Sequence, residues 1–375
     1  MKQFGTMLSF ELKKIYSKKM TWITLAALFL LGIFMAVGRV VFFIPYDEIA
    51  AESERARALN GSVINDALLA DLQKSRAAGS EEMNAIYDIV WTISDGNAEL
   101  AAAMDEETLY GEWEKLTLTN AENMYCSDVE VEYWKKRMQE VRTPFVYEYG
   151  EGYGEFLSII YSLNIYLFLA VTICLSGVFS EEHVRRTDAL ILCSRNGKHG
   201  LYLAKILAGI IFAFSSTVIT IGLSLLGTLI IYGFDGFGAM MQTAGHICAW
   251  PVTVGQAVLI LILLQLAAAV FYSICVMFLS EWFKNGVAVM SVMTVFMMVC
   301  RLVEVPFSWR VISQILYLMP FNLIAGWSFF DCRTVPVFGY CLTNFQTGAV
   351  LYALISVLLF CLGKWIYKRY QVTGR

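Results

Sequence analysis

Between Phe179 and Lys205 the chain reads FSEEHVRRTDALILCSRNGKHGLYLAK, a charged strip set between two long apolar stretches. Glu181, Glu182, Arg185 and Arg186 crowd about a turn and a half of helix, with Thr187 following and Leu190 in an apolar ALIL patch. Mixed acids and bases at this spacing suit recognition of a partner surface, because complementary charges set register and partner choice. Flanking charge that only fixes membrane orientation would need the bases alone.

Other chemistry is sparse. There is no G-x-x-x-x-G-K-[ST] phosphate cradle and no H-E-x-x-H or G-x-S-x-G motif. His183, His199 and His246 are scattered, and the nine cysteines have no metal-ligand spacing. No enzyme and no cofactor is expected. Two neutral polar residues, Asn164 and Gln265, fall inside apolar runs, where they either bond across helices or line a path through the membrane. Arg39 and Arg301 fall late in such runs, with snorkelling to headgroups and a substrate path as the two readings.

The elements that carry these residues follow from composition. The chain is 58% hydrophobic and 16% charged, with a mean hydropathy of +0.59, too apolar for an ordinary soluble domain. Six runs are long enough to cross a hydrocarbon core that takes roughly 20 apolar residues. They lie near Thr21–Ile44, Phe156–Phe179, Leu201–Tyr232, Val254–Ser280, Gly286–Val303 and Gly348–Trp365. The fold class expected is an all-α polytopic membrane protein of six transmembrane helices. No cleavable signal peptide is expected, since the first run is too long and follows a basic lead.

With the N-terminus inside, the lead, the strip, the Glu281–Gly286 turn and the tail carry fourteen Lys and Arg. The short outer segments Gly233–Thr253 and Glu304–Thr347 carry two, Arg310 and Arg333. That asymmetry places both termini in the cytoplasm. In the lead, residues 1–20, Phe4, Leu8, Leu12 and Ile15 recur at helical spacing beside Lys13, Lys14, Lys18 and Lys19. This predicts an amphipathic helix in the membrane interface, ahead of a first span over 21–45.

Residues 46–154 hold 23 acidic against 9 basic side chains, so the rest of the chain is net positive. The segment is too long for a loop and reads as a mostly helical extracellular domain. Asn65–Leu72, Met83–Trp91 and Val129–Val141 carry helical patterns, with starts expected at Gly79-Ser80-Glu81-Glu82 and Ser127-Asp128. Its acidity would attract cationic substrates, or simply form a solvated surface. Cys332 and Cys341 share one outer segment and are either a disulfide or two free thiols.

Residues 155–375 then hold five spans, a cytoplasmic segment at 180–200 and an outer segment at 304–347. A charged cytoplasmic strip between the second and third of six spans, behind an amphipathic lead, resembles the ABC-2 type permeases of ATP-binding cassette exporters. The strip's Ser180-Glu181-Glu182, Thr187, Leu190-Ile191-Leu192, Ser194-Arg195 and Ala204-Lys205 are similar to that family's stretch, with Arg186 where a glycine is usual. Leu316-Tyr317-Leu318-Met319-Pro320-Phe321-Asn322 resembles its re-entrant outer region. The end of the insert, Glu132-Tyr133-Trp134 through Pro144-Phe145-Val146-Tyr147-Glu148-Tyr149, is similar to inserts in members from Gram-positive bacteria.

The resemblance implies a non-catalytic permease subunit in a bacterial plasma membrane. Its partners would be a separate cytoplasmic ABC ATPase, a second permease copy or paralogue, and the lipid bilayer, with no nucleic acid. Glu181, Glu182, Arg185, Arg186, Thr187 and Leu190 would form the ATPase-coupling site. The substrate is not specified, and the Met-rich fifth run (Met290, Met293, Met297, Met298) would suit an apolar cargo or helix packing equally. A non-transporting sensor or scaffold that binds a ligand through the acidic domain is the alternative. A secondary transporter would need carboxylates at the membrane midplane, where the sequence has none.

Overall fold

Long apolar runs with small residues at the contacts dictate the helical part of the computed structural model, which describes residues 2–185, 200–244, 248–337 and 339–369. Helix α1 (Lys2–Tyr16) leads into α2 (Lys19–Phe42). A cap of six helices follows: α3 (Tyr46–Ala58), α4 (Asp66–Ala77), α5 (Asn84–Ile93), α6 (Ala98–Ala102), α7 (Glu106–Asn123) and α8 (Asp128–Gln139). The chain then forms α9 (Glu151–Leu175), α10 (Gly177–Val184), α11 (Gly200–Tyr232), α12 (Val254–Phe283) and α13 (Gly286–Leu302). Two short helices, α14 (Arg310–Tyr317) and α15 (Pro320–Leu323), precede a hairpin of β1 (Thr334–Val337) and β2 (Tyr340–Thr343). Helix α16 (Asn344–Arg369) closes the chain.

Among the described residues five helices are long and apolar enough to cross a membrane: Lys19–Phe42, Glu151–Val184, Gly200–Tyr232, Val254–Phe283 and Asn344–Arg369. The sequence reading expected six. The difference is α13, 17 residues long, which ends at Leu302 as Val303 takes an extended conformation. The second and last long helices each begin earlier than their apolar runs, because polar first turns such as Glu151 and Asn344 are helical too.

Close helix contacts rest on small residues. On α2 the buried face is Thr21, Leu25, Leu28, Gly32 and Ala36, which repeats at three to four residues and meets α11. The Ser224 hydroxyl donates to the Gly32 carbonyl at 2.9 Å, and a Cβ on Gly227 would lie 2.7 Å from that of Ala36. In a helix pair without a hydrophobic drive from lipid, such small-residue contacts let backbones approach and gain dispersion.

The lead helix is amphipathic as its spacing predicts, but its apolar face packs on protein. Ile15 is buried, Leu8, Leu12 and Tyr16 lie against the same core, and the Tyr16 and Phe212 rings are 5.6 Å apart.

The cap has its own core, built around Ile86, Val90, Leu109, Trp134 and Phe145. Side-chain caps start its helices: Asn65 on α4, Asn97 on α6, Asp105 on α7, and a Ser127–Glu130 capping box on α8. Each satisfies amides that the first turn leaves without partners. The start expected at Ser80 lies at Asn84 instead. Ser80 accepts the Glu82 amide in a turn, and α5 begins only after it. The cap's entry and exit strands pair through Ile64 N to Phe145 O and Tyr147 N to Ser62 O.

The cap is bound to the region between α13 and α16. Trp134 Nε1 donates to the Cys332 carbonyl at 2.6 Å, and the Glu130 carboxylate accepts the Thr334 amide at 2.6 Å. Arg310 is ion-paired to the same carboxylate. Arg333, wholly buried, is held by Asp331 and Ser313 between the rings of Phe307 and Tyr317. Cys332 and Cys341 are both free thiols. Cys341 faces Pro336 across the hairpin, and Cys332 lies four residues further along. At about 3.3 Å per residue that leaves the two far beyond bridging distance.

Candidate functional site

The strip's charged start forms a helix because a single serine resolves the break before it. Helix α9 ends at Leu175, and α10 begins at Gly177. The Ser280 hydroxyl of α12 donates to the Ser176 carbonyl at 2.6 Å and accepts the amides of Phe179 and Ser180 at 3.2 Å each. Backbone groups that the break would leave unpaired in an apolar interior are thereby satisfied. Helix α10 is consequently attached to the end of α12.

Its two carboxylates point toward the lead helix. Lys14 Nζ donates to Glu11 Oε1 at 2.8 Å and to Glu182 Oε1 at 2.9 Å. Lys18 is ion-paired to Glu181. Burial acts to lower the Lys14 pKa, but its hydrogen bonds to Glu11 and Glu182 outweigh that and hold it above the ordinary value.

At the centre is Lys205 of α11, fully buried. Its ammonium lies 2.8 Å from Glu182 Oε1, 3.2 Å from Glu11 Oε2 and 2.9 Å from the Val178 carbonyl. Three helices thus meet in one polar network, α1 through Glu11 and Lys14, α10 through Glu182 and α11 through Lys205, while α12 reaches α10 separately through Ser280. A charge this deep is tolerated because it is paired and hydrogen-bonded. Close by, Glu281 is buried with neither carboxylate oxygen hydrogen-bonded among the described residues.

A groove of about 370 Å³ opens beside the network, between α1 and α10. Lys14, Lys18, Glu181 and Arg185 line it, and Phe10, 58% exposed, stands at its rim. Arg185 is exposed at the end of α10. The groove thus sets an exposed aromatic beside side chains of both charges.

Of the strip residues singled out in sequence, Glu181, Glu182 and Arg185 come together here, whereas Arg186, Thr187 and Leu190 lie outside the described residues. Glu11 escaped the sequence reading, and Lys205 was read only as the end of the family-like stretch, not as a charge partner. The one signal that could have found them was a charge on the apolar side of each helix: Glu11 follows Phe10 in the lead, and Lys205 interrupts a run of apolar residues.

The polar residues within the spans do not join this site. Asn164 donates to the Pro320 carbonyl at 2.7 Å and so fixes α15 against α9. Gln265 is buried on α12, with neither side-chain polar atom hydrogen-bonded among the described residues. The span arginines are engaged by protein groups: Arg39 pairs with Glu155, while Arg301 donates to the Phe321 carbonyl at 2.9 Å and stacks on Tyr161.

Comparison with protein-family models, with curated proteins and with solved structures finds no match.

Proposed function

We propose that this chain is the non-catalytic, membrane-spanning permease subunit of an ATP-binding cassette exporter. It docks a separate cytoplasmic ATPase in the groove between α1 and α10, and it works beside a second permease copy or paralogue in a bacterial plasma membrane. In this reading both termini are cytoplasmic and the cap is extracellular. Helix α13, about 26 Å long at 1.5 Å per residue, then serves as a short sixth crossing.

The observation that carries the reading is the attachment of α10. Through Glu182–Lys205 and Ser280–Ser176 the helix is bound to α11 and α12, so a push on the groove is transmitted to two long helices at once. ATP-driven closure of the partner would in this way bias the bundle between two arrangements. The charge pattern of the strip and its resemblance to ABC-2 type permeases support the same reading.

The test is recovery of the protein from its native cells in mild detergent, with mass spectrometry of the chains that accompany it. The variant to compare is Arg185→Glu with Phe10→Ser, since both residues are exposed and outside the buried network. A P-loop ATPase accompanying the unaltered protein and lost from the variant is the expected outcome. An ATPase retained by the variant moves the docking site elsewhere. Absence of any ATPase favours the sensor or scaffold.

A further inference from the structure

Glu281 follows Ser280 on α12 and is 2% exposed. Neither of its carboxylate oxygens has a hydrogen-bond partner, and no ion pair reaches it among the described residues. A carboxylate closed off in this way is costly to the arrangement that holds it. Its place in the joint that carries α10 gives that cost a use.

Two contacts fix where it stands. Lys205 of α11 donates to the Val178 carbonyl at 2.9 Å, and Ser280 of α12 accepts the amide of the next residue, Phe179, at 3.2 Å. The ammonium of α11 and the last turn of α12 thus reach consecutive residues of α10. Lys284, Lys205 and Glu182 all act on the Glu281 carboxyl through space, yet Lys205 bonds elsewhere. Its three N–H donors are taken by Glu182 at 2.8 Å, Glu11 at 3.2 Å and the Val178 carbonyl. Glu281 gains this ammonium only if one of those acceptors gives it up.

We propose that Glu281 is a second seat for the Lys205 ammonium: displacement of α10 passes Lys205 from Glu182 to Glu281, and α11 exchanges its tie to α10 for one to α12. The proposal rests on reading the groove as the docking site and adds how that site is regulated. Movement of α10 stretches the Glu182–Lys205 contact, and a buried ammonium left without a carboxylate would oppose it strongly. With Glu281 in reach the cation is paired before and after, while Lys14 remains on Glu182. The joint then has two discrete states rather than a continuum. A lysine suits the exchange, because its flexible stem carries a compact charge that turns between acceptors, whereas a guanidinium fork is held to one geometry. Lys284 acts on the same carboxyl, but it is three residues along the same helix, so pairing with it would link nothing across the joint.

The test is a double-mutant cycle on the melting of the full-length protein in lipid nanodiscs, with no ATPase present. Glu281→Gln alone should leave the melting temperature unchanged or raise it, since it removes a carboxylate that has no partner. Glu182→Gln alone should lower it modestly, because Lys205 passes to Glu281. The two together should lower it by about 3 °C or more beyond their sum. Additive effects overturn the proposal. So does coupling of Glu281→Gln to Lys284→Met in place of Glu182→Gln, which would make Lys284 the partner. Should the double variant not fold, the infrared carboxyl band identified by its loss in Glu281→Gln decides. That band should shift in Glu182→Gln, and an unmoved band overturns the proposal. These readouts need no partner chain, so the absence of an ATPase from the native complex would overturn the exporter reading and leave them standing.

Discussion

The Lys205 ammonium lies 2.8 Å from the Glu182 carboxylate, with side chains only 1% and 14% exposed. The same ammonium reaches Glu11, so one buried cation holds acids from two helices 171 positions apart. Removing one member of such a cluster leaves uncompensated charge in a poorly hydrated place, which costs about 3–5 kcal/mol. Lys205→Met should therefore lower the melting temperature of the detergent-purified protein sharply. Lys18→Met, which breaks only the part-exposed pair with Glu181, should change it little. Adding Glu182→Gln to Lys205→Met should cost less than the two changes summed, because the second removes a charge that the first has orphaned.

Ser280 serves three backbone groups with one hydroxyl. Ser280→Ala removes the hydroxyl that the Phe179 and Ser180 amides share and leaves the Ser176 carbonyl with the Ser180 hydroxyl, at a cost of about 1–3 kcal/mol. Hydrogen exchange should rise across residues 176–185 and stay unchanged in the cap. Equal exchange in the two proteins would mean that the neighbouring helix, not Ser280, holds α10.

Glu130 makes the attachment of the cap depend on pH. Burial acts to raise its pKa, but the Ser127 and Thr334 amides and Arg310 outweigh that and hold the carboxyl below the ordinary range. A depressed folded-state pKa means stability that is present above the unfolded value and lost as pH falls through the folded one. Acidification below about pH 4 should loosen the hairpin, read as faster exchange of the Thr334 amide. Glu130→Gln should exchange faster already at pH 7 and respond much less to acid.

The cysteines should differ widely in reactivity. Burial pushes the Cys248 thiol up to about 12, and burial with Cys126 and Asp331 nearby raises Cys332 further. Cys341 is half-exposed on the hairpin. A water-soluble maleimide should label Cys341 at least roughly tenfold faster than either buried thiol, since it needs thiolate and access. Peptide mapping should find no Cys332–Cys341 bridge. Finding one would show that the hairpin register differs from Pro336 opposite Cys341.

The linear order of residues was enough to locate five long apolar helices, though it counted a sixth that is shorter. Hydropathy is a sum over neighbours in the chain, and any run such as Val254–Phe283 must become helical where no water can pair its backbone. The Ser127–Glu130 box and the amphipathic lead were legible for the same reason, since each is a local pattern. The pairing of charges was not. Glu11 and Lys205 are 194 positions apart, and an isolated acid in the lead looks like any other solvated charge. Glu182 stood out in sequence as a surface contact for a partner, yet it is half of a buried pair, because the fold brings Lys205 and Lys14 to it. Likewise the acidity of residues 46–154 was plain from composition. That part of it, with Glu151 and Tyr232 from the bundle, encloses a cavity was decided only when the cap closed onto the helix ends. Burial converts charge from a property of composition into one of geometry, and geometry between distant residues exists only in the folded chain.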